Sequence, residues 1–327
     1  NIGDISHIPQ DTSSNLVLEM SDVIKSLLSD VAPTVRSAAL DCLASIIENL
    51  NENQYGAIIK HVIDASGSLE TILRNRIVEE KLIVRRSALN CLTQIVISNA
   101  RSITPIMIQL ISNRIRDRAL SIRTMAIKSL NSAIERFPDN ELLNKTWLDS
   151  VLPSILDQED SVKAEALGSI EKMIFNPLIN GEACHFTSLM TTTHFDFMKN
   201  VFKFCKSKAI SLSNISNAFS KILFNYYDEK NPGSDDDESI YSIWKLVSIL
   251  SSIESSHFKV NKYFDLWNQY KSLPPEYFTI LANLQFKDDE ICEDLTGFLD
   301  ELIQSDSRKY NLIHSLIQLI RIQDNVE

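Results

Sequence analysis

The sequence predicts an all-α protein, specifically an α-solenoid of stacked antiparallel helix pairs. Three observations predict it. Glycine (7) and proline (9) are scarce in 327 residues, and strand-rich folds need such residues at their tight turns. Apolar residues recur at helical rather than alternating spacing. One pattern, LIVRRSALNCL at residues 82–92, returns three more times along the chain.

The register of that pattern defines one unit. Counting from an aliphatic at position 0, the copies start at Val35, Val84, Ile122 and Val162, which lie 49, 38 and 40 residues apart. Position +1 is basic in each (Arg36, Arg85, Arg123, Lys163), +4 is alanine, and +5 is aliphatic. An acid stands at −5 (Asp30, Glu79, Asp117, Asp157). Aliphatics stand at −7 (Leu28, Ile77, Ile115, Ile155) and −11 (Ile24, Leu73, Ile111, Val151). Positions 0, +4, +5, +8 and +12 form the apolar stripe of a second helix, and −11 and −7 belong to a first helix. An acidic turn joins the two, its charge placed where a helix N-terminus favours an anion. The base at +1 is in reach of the acid of its own or of the neighbouring unit. Repetition then makes a charge ladder of Arg36, Arg85, Arg123 and Lys163 with Asp30, Glu79, Asp117 and Asp157. No single unit buries its stripe alone, so units stack.

The organisation follows from where this signal holds. Residues 1–15 read as an incoming loop and 16–184 as well-defined repeats. Residues 185–327 read as degenerate repeats continuing the same solenoid, without an independent second domain. Helices are expected at 185–208, 212–227, 240–254, 276–286, 288–304 and 308–322. The stretch DEKNPGSDDDES (228–239) reads as an acidic loop. Within it Ser234, followed by acids, has the form of a kinase acceptor site, with a plain solvated loop as the alternative. Asn1 in place of an initiator Met reads as the mark of a piece of a longer polypeptide.

Chemistry is sparse. No glycine-rich phosphate loop, G-x-S-x-G or H-E-x-x-H occurs, so no catalysis, cofactor or small-molecule substrate is expected. Cys184, His185, His194 and Cys205 lack the short spacings of zinc pairs and read as packing or surface residues rather than a metal site. Five scattered cysteines without C-x-x-C point to a reducing compartment, cytosol or nucleus. Cys42 and Cys91 share position +7 and read as structural. No run approaches 18 apolar residues, so no membrane span is expected.

Charge is the functional lead. The chain carries −11 overall, yet residues 70–140 hold twelve Lys/Arg against six Asp/Glu. Outside the ladder, Arg74, Arg76, Arg86, Arg114, Arg116 and Arg118 form a surplus. Adjacent turns of a solenoid would bring them into one stripe suited to a DNA phosphate backbone, read without sequence preference. Solvated charge or a protein partner is the alternative.

The repeated register resembles HEAT repeats. Over residues 72–180 the likeness sharpens. Arg114-x-x-Asp117 followed by Ile122-Arg123-x-x-Ala126, Trp147-Leu148 ahead of Val151-Leu152-Pro153, and Asp157-x-Glu159-x-x-Val162 are similar to the central HEAT array of the D-type non-SMC subunit of condensin II. Beyond residue 186 the chain is only compatible, with Trp244-Lys-Leu-Val as the most familiar fragment. The resemblance implies a non-catalytic HEAT scaffold of a mitotic chromosome-condensation complex, in the nucleus and on the chromosome. Its partners would be the kleisin, the SMC ATPase pair and duplex DNA. The competing class is a HEAT or armadillo adaptor, such as a nuclear transport receptor or phosphatase scaffold, that binds proteins and no DNA.

Overall fold

The computed structural model describes residues 23–24, 26–49, 69–99, 103–182, 184–229, 238–269, 273–284 and 317. Among these every regular element is a helix and no strand occurs. The chain divides into two compact units, Asn1–Glu165 and Ala166–Glu327. The division falls inside the fourth second-helix, ahead of residue 184, where the sequence pattern loses its regularity.

In the first unit the expected helix pairs are present. Helical residues at 26–28 precede α1 (Pro33–Glu48). Then α2 (Leu69–Arg76) pairs with α3 (Leu82–Ser98), and α4 (Pro105–Ser112) with α5 (Leu120–Arg136). Last come α6 (Glu141–Val151) and α7 (Asp160–Ile170). Second helices pack on second helices, α1 on α3 and α3 on α5, while α4 packs on α6. The two rows form the two layers of the stack.

The stripe read from sequence is the core. Val84, Ala88, Leu89, Leu92 and Val96 are buried, as are Ile122, Ala126, Ile127, Leu130 and Ile134. The −7 and −11 aliphatics of all four units are buried with them. Val35 is the exception, only half-buried where Val84, Ile122 and Val162 are covered. The alanines at +4 are buried; a methyl there lets neighbouring backbones approach where a larger side chain would hold them apart.

The first helices α4 and α6 do not simply stop. Each tightens into a 3-10 turn, Asn113–Arg116 and Leu152–Leu156. The turn ends when the acid at −5 becomes extended, with ψ near 147° at Asp117 and 154° at Asp157. The carboxylate then accepts the N–H two residues on, Ala119 at 2.9 Å and Glu159 at 2.9 Å. Asp30 does the same for Ala32 at 2.7 Å. This local bond frees the chain to reverse while using a donor that the next helix leaves unsatisfied.

In the second unit the helix begun as α7 runs through a π turn, Glu171–Phe175, into the short α8 (Asn176–Asn180). Pro177 explains the irregularity, because it brings no N–H to the carbonyl one turn back and its ring crowds that turn. Met173 O, so released, is approached by Cys184 Sγ at 3.9 Å. The segment closes at Gly181, whose φ of 76° lies in the left-handed region that glycine enters without steric cost.

Four helices expected from sequence follow with changed ends. α9 spans Thr192–Ser207, not 185–208. Its start is set by a reciprocal cap in which Thr191 N donates to His194 Nδ1 at 3.0 Å and the Thr191 side chain takes the first-turn backbone. Phe195, Met198, Val201, Phe202 and Cys205 are its buried face. α10 (Ser213–Glu229) and α11 (Glu238–Ile253) extend into the segment read as a loop, so Asp228, Glu229, Glu238 and Ser239 are helical. Ser234 lies outside the described residues, as do residues 1–15 and the helices expected at 288–304 and, except for Ile317, at 308–322. α12 (Val260–Gln269) and α13 (Pro275–Asn283) follow as the last full helices among the described residues, the second begun by the proline pair that breaks the chain before it. Aromatic edges fill this core: Tyr227 on Trp244 at 6.0 Å and Trp244 on Tyr277 at 6.1 Å. Such contacts are directional as well as apolar.

Two outcomes test this packing. Ala88→Leu is expected to lower stability by about 1–3 kcal/mol through overpacking, read as a drop in melting temperature. Burial holds the Cys91 thiol up and pushes Cys205 up to about 11, while Cys42 at the same +7 register is exposed. Alkylation of the native protein at neutral pH, followed by mass mapping, is therefore expected to mark Cys42 and spare Cys91 and Cys205.

Candidate nucleic-acid interface at the turn edge

The base at +1 of each of the first three units reaches the acid of the following unit. Arg85 Nε and Nη2 donate to Asp117 at 3.1 and 2.9 Å, a bidentate pair buried to 4% and 3% side-chain exposure. Arg123 meets Asp157 at 2.9 and 3.0 Å, and Arg36 Nε donates to Glu79 at 3.1 Å. The remaining donors stay in the arginine's own turn. Arg36 Nη1 donates to the Asp30 and Val31 carbonyls, Arg85 Nη1 to those of Glu79 and Glu80, and Arg123 Nη1 to Asp117 O. One planar guanidinium thus ties the C-terminal carbonyls of its own turn to the carboxylate of the next. Lys163 ends the series. Its Nζ turns to Asp160, three residues earlier, at 3.0 Å.

A second rung, missed in the sequence, shares the same acids. Arg76 and Arg114 both stand at −8. Arg76 Nη1 lies 3.4 Å from Glu79 and its Nε donates to Leu28 O at 2.9 Å. Arg114 Nη1 lies 3.2 Å from Asp117 and donates to Ile77 O at 3.3 Å. Leu28 and Ile77 both occupy −7, in the unit before. The recurrence at −8, three residues before the acid, was the signal available in the sequence. Each of Glu79 and Asp117 therefore holds two arginines, and these turns carry net positive charge.

Arg76 and Arg114 thus leave the surplus as structural residues. The others do not form one stripe. Arg74 is exposed and pairs with Glu70 at 2.9 Å on α2. Arg86 is exposed on the second-helix face, over a depression of about 410 Å³ lined also by Ser37, Asp41, Asn90 and Met125. Arg116 and Arg118 stay together on the turn edge. They line an open depression of about 410 Å³ with Val78, Glu80 and Arg114. Arg118 Nη2 donates to Glu80 O at 2.7 Å, which orients the guanidinium without neutralising it. Arg116 has no ion pair among the described residues, and it also borders the next depression, about 340 Å³, beside Gln158 and Ser150.

The other candidates are accounted for locally. His194 is the α9 cap and is buried. No group of three or more His, Cys, Asp or Glu able to hold a metal occurs among the described residues. No helix there is long and apolar enough to cross a membrane.

The buried rung predicts a graded response. Asp117→Ala strands the Arg85 charge and is expected to cost about 3–5 kcal/mol. Lys163→Ala removes a pair whose acid is 72% exposed and should cost no more than about 1 kcal/mol. Equilibrium urea unfolding of both variants checks the contrast.

Comparison with known proteins agrees with this register. The HEAT repeat family matches residues 21–50. A protein of Xenopus laevis, condensin-2 complex subunit D3-L, is 27% identical over 212 residues, covering 49% of this chain and 14% of that protein. The Arabidopsis thaliana condensin-2 complex subunit CAP-D3 is 25% identical over 166 residues, covering 48% of this chain and 13% of its own. The matched stretch spans about one seventh of the length of these curated relatives. Among solved structures, a C-terminal fragment of the Chaetomium thermophilum cohesin loader SCC2 superposes with a TM-score of 0.58 at 16% identity, over 87% of this chain and 23% of that one. That likeness establishes the fold as an all-α solenoid.

Proposed function

We propose, from the premise that this chain is a HEAT-repeat segment related to the D3 subunits of condensin II, that it serves as a non-catalytic scaffold of a condensin complex on nuclear chromosomes. In this reading it binds the kleisin, works beside the SMC ATPase pair, and touches duplex DNA through its turn edge. The observation that carries the DNA contact is the pair Arg116 and Arg118, exposed together on an edge where Asp117 is already held by Arg85 and Arg114 and the arginines outnumber the acids, Glu80 included. An incoming phosphate meets uncompensated positive charge there, although the chain as a whole is acidic. The Arg118 guanidinium, held by the Glu80 carbonyl, keeps its charge and loses little entropy on binding. The contact is to backbone, so it is independent of base sequence and weakens with salt.

The test is binding of a labelled duplex across a salt series. For the Arg116→Glu/Arg118→Glu double variant the slope of log K against log salt is expected to fall in magnitude by about 2. Arg74→Glu, on a separate helix face, is expected to leave the slope close to wild type. An unchanged slope in the double variant would remove DNA from the role of this edge.

A further inference from the structure

We propose that the depression between α10 and α12, in the second unit, receives a phosphorylated serine or threonine carried on a partner polypeptide. Residues 166–327 hold fifteen Lys/Arg against twenty-two Asp/Glu. Against that acidic background, Lys221, Lys259 and Lys262 converge with His257 on one depression of about 240 Å³. All three lysines are exposed, and none has an ion pair among the described residues. Lys259 directly precedes α12 and Lys262 lies in its first turn, so the positive end of that ten-residue helix adds to their field. Asp228 is the one acid among the described residues that line the depression.

The walls are prearranged for more than a free ion. On α10, Asn217, Ser220, Lys221, Phe224, Asn225 and Asp228 follow one another at helical spacing and all face the depression. Phe224 stands edge-on to Tyr263 at 5.1 Å, and Tyr263 is held by a 2.8 Å hydroxyl contact to Ser220. Lys262 Nζ lies 5.7 Å over the Phe224 ring. The amines suit a dianionic phosphoryl group, which lysine meets as a point charge. Asn217 and Asn225, two turns apart, offer amide groups to an extended main chain. Phe224 gives an apolar side chain beside the phosphate a surface to cover. A nucleic-acid strand fits less well. It presents an unbroken run of phosphates, whereas here the cations gather on one depression that Asp228 also lines.

The test uses the whole chain and a fluorescent degenerate heptapeptide pool centred on phosphoserine. The same pool centred on serine, inorganic phosphate and a short DNA duplex run in parallel. The phosphoserine pool is expected to bind at least about tenfold more tightly than the serine pool. Lys259→Glu/Lys262→Glu is expected to abolish that difference with an unchanged melting temperature, since both side chains are exposed. Arg116→Glu/Arg118→Glu, in the other unit, is expected to leave it intact, so this site and the DNA reading stand or fall separately. Equal binding of the two pools, or full affinity in the lysine variant, overturns the proposal. So does inorganic phosphate matching the peptide pool, or the duplex proving to be what these lysines hold.

Discussion

An arginine that closes its own turn and grips the acid of the next is the interaction from which the first unit is built. Arg85 shows the logic. Its Nη1 satisfies carbonyls of Glu79 and Glu80, in the turn between α2 and α3. Its other nitrogens meet Asp117, whose carboxylate is already shaping the following turn through Ala119 N. Formation of one turn therefore supplies a partner for the next. Coupling of this nearest-neighbour kind is how a repeat stack becomes cooperative although no unit is stable alone. The guanidinium is suited to the task because a planar fork makes several directed bonds at once; an ammonium does not.

Where that geometry is unavailable the pattern stops. Lys163 holds the +1 position but pairs within its own helix, and the boundary between the two units follows at residues 165 and 166. The second unit relies on other devices. A proline inside a helix is accommodated by a π turn, and the carbonyl it releases is met by a thiol. The Trp244, Tyr227 and Tyr277 rings fill the core with edge contacts. The apolar periodicity continues while the ladder does not, which is why the second half looks helical in sequence yet lacks a repeat signature.

The ladder also shapes the surface. Because Glu79 and Asp117 each serve two arginines, arginines outnumber acids along the turn edge even with Glu80 counted, and it is left positive. Arg116 and Arg118 inherit that environment. A net charge of −11 for the chain conceals it, since attraction of a polyanion depends on the local field and falls off over a Debye length of about 10 Å.

Much of this was legible in the order of residues alone. The stripe at 0, +4, +5, +8 and +12, the two apolar positions of the first helix, and the acid and base of the turn all follow from helical geometry, which depends only on neighbours in the chain. Which acid each arginine would choose, and which arginines stood free, did not follow. Arg76 and Arg114 looked like Arg116 and Arg118 until packing brought −8 of one unit against the −7 carbonyl of the one before. Likewise Lys221, Lys259 and Lys262 are scattered in an acidic sequence and meet only where α10 lies beside α12. Sequence determines the face a residue takes on its own helix; its partners across helices are set by stacking, because contacts between residues tens of positions apart exist only once the layers close.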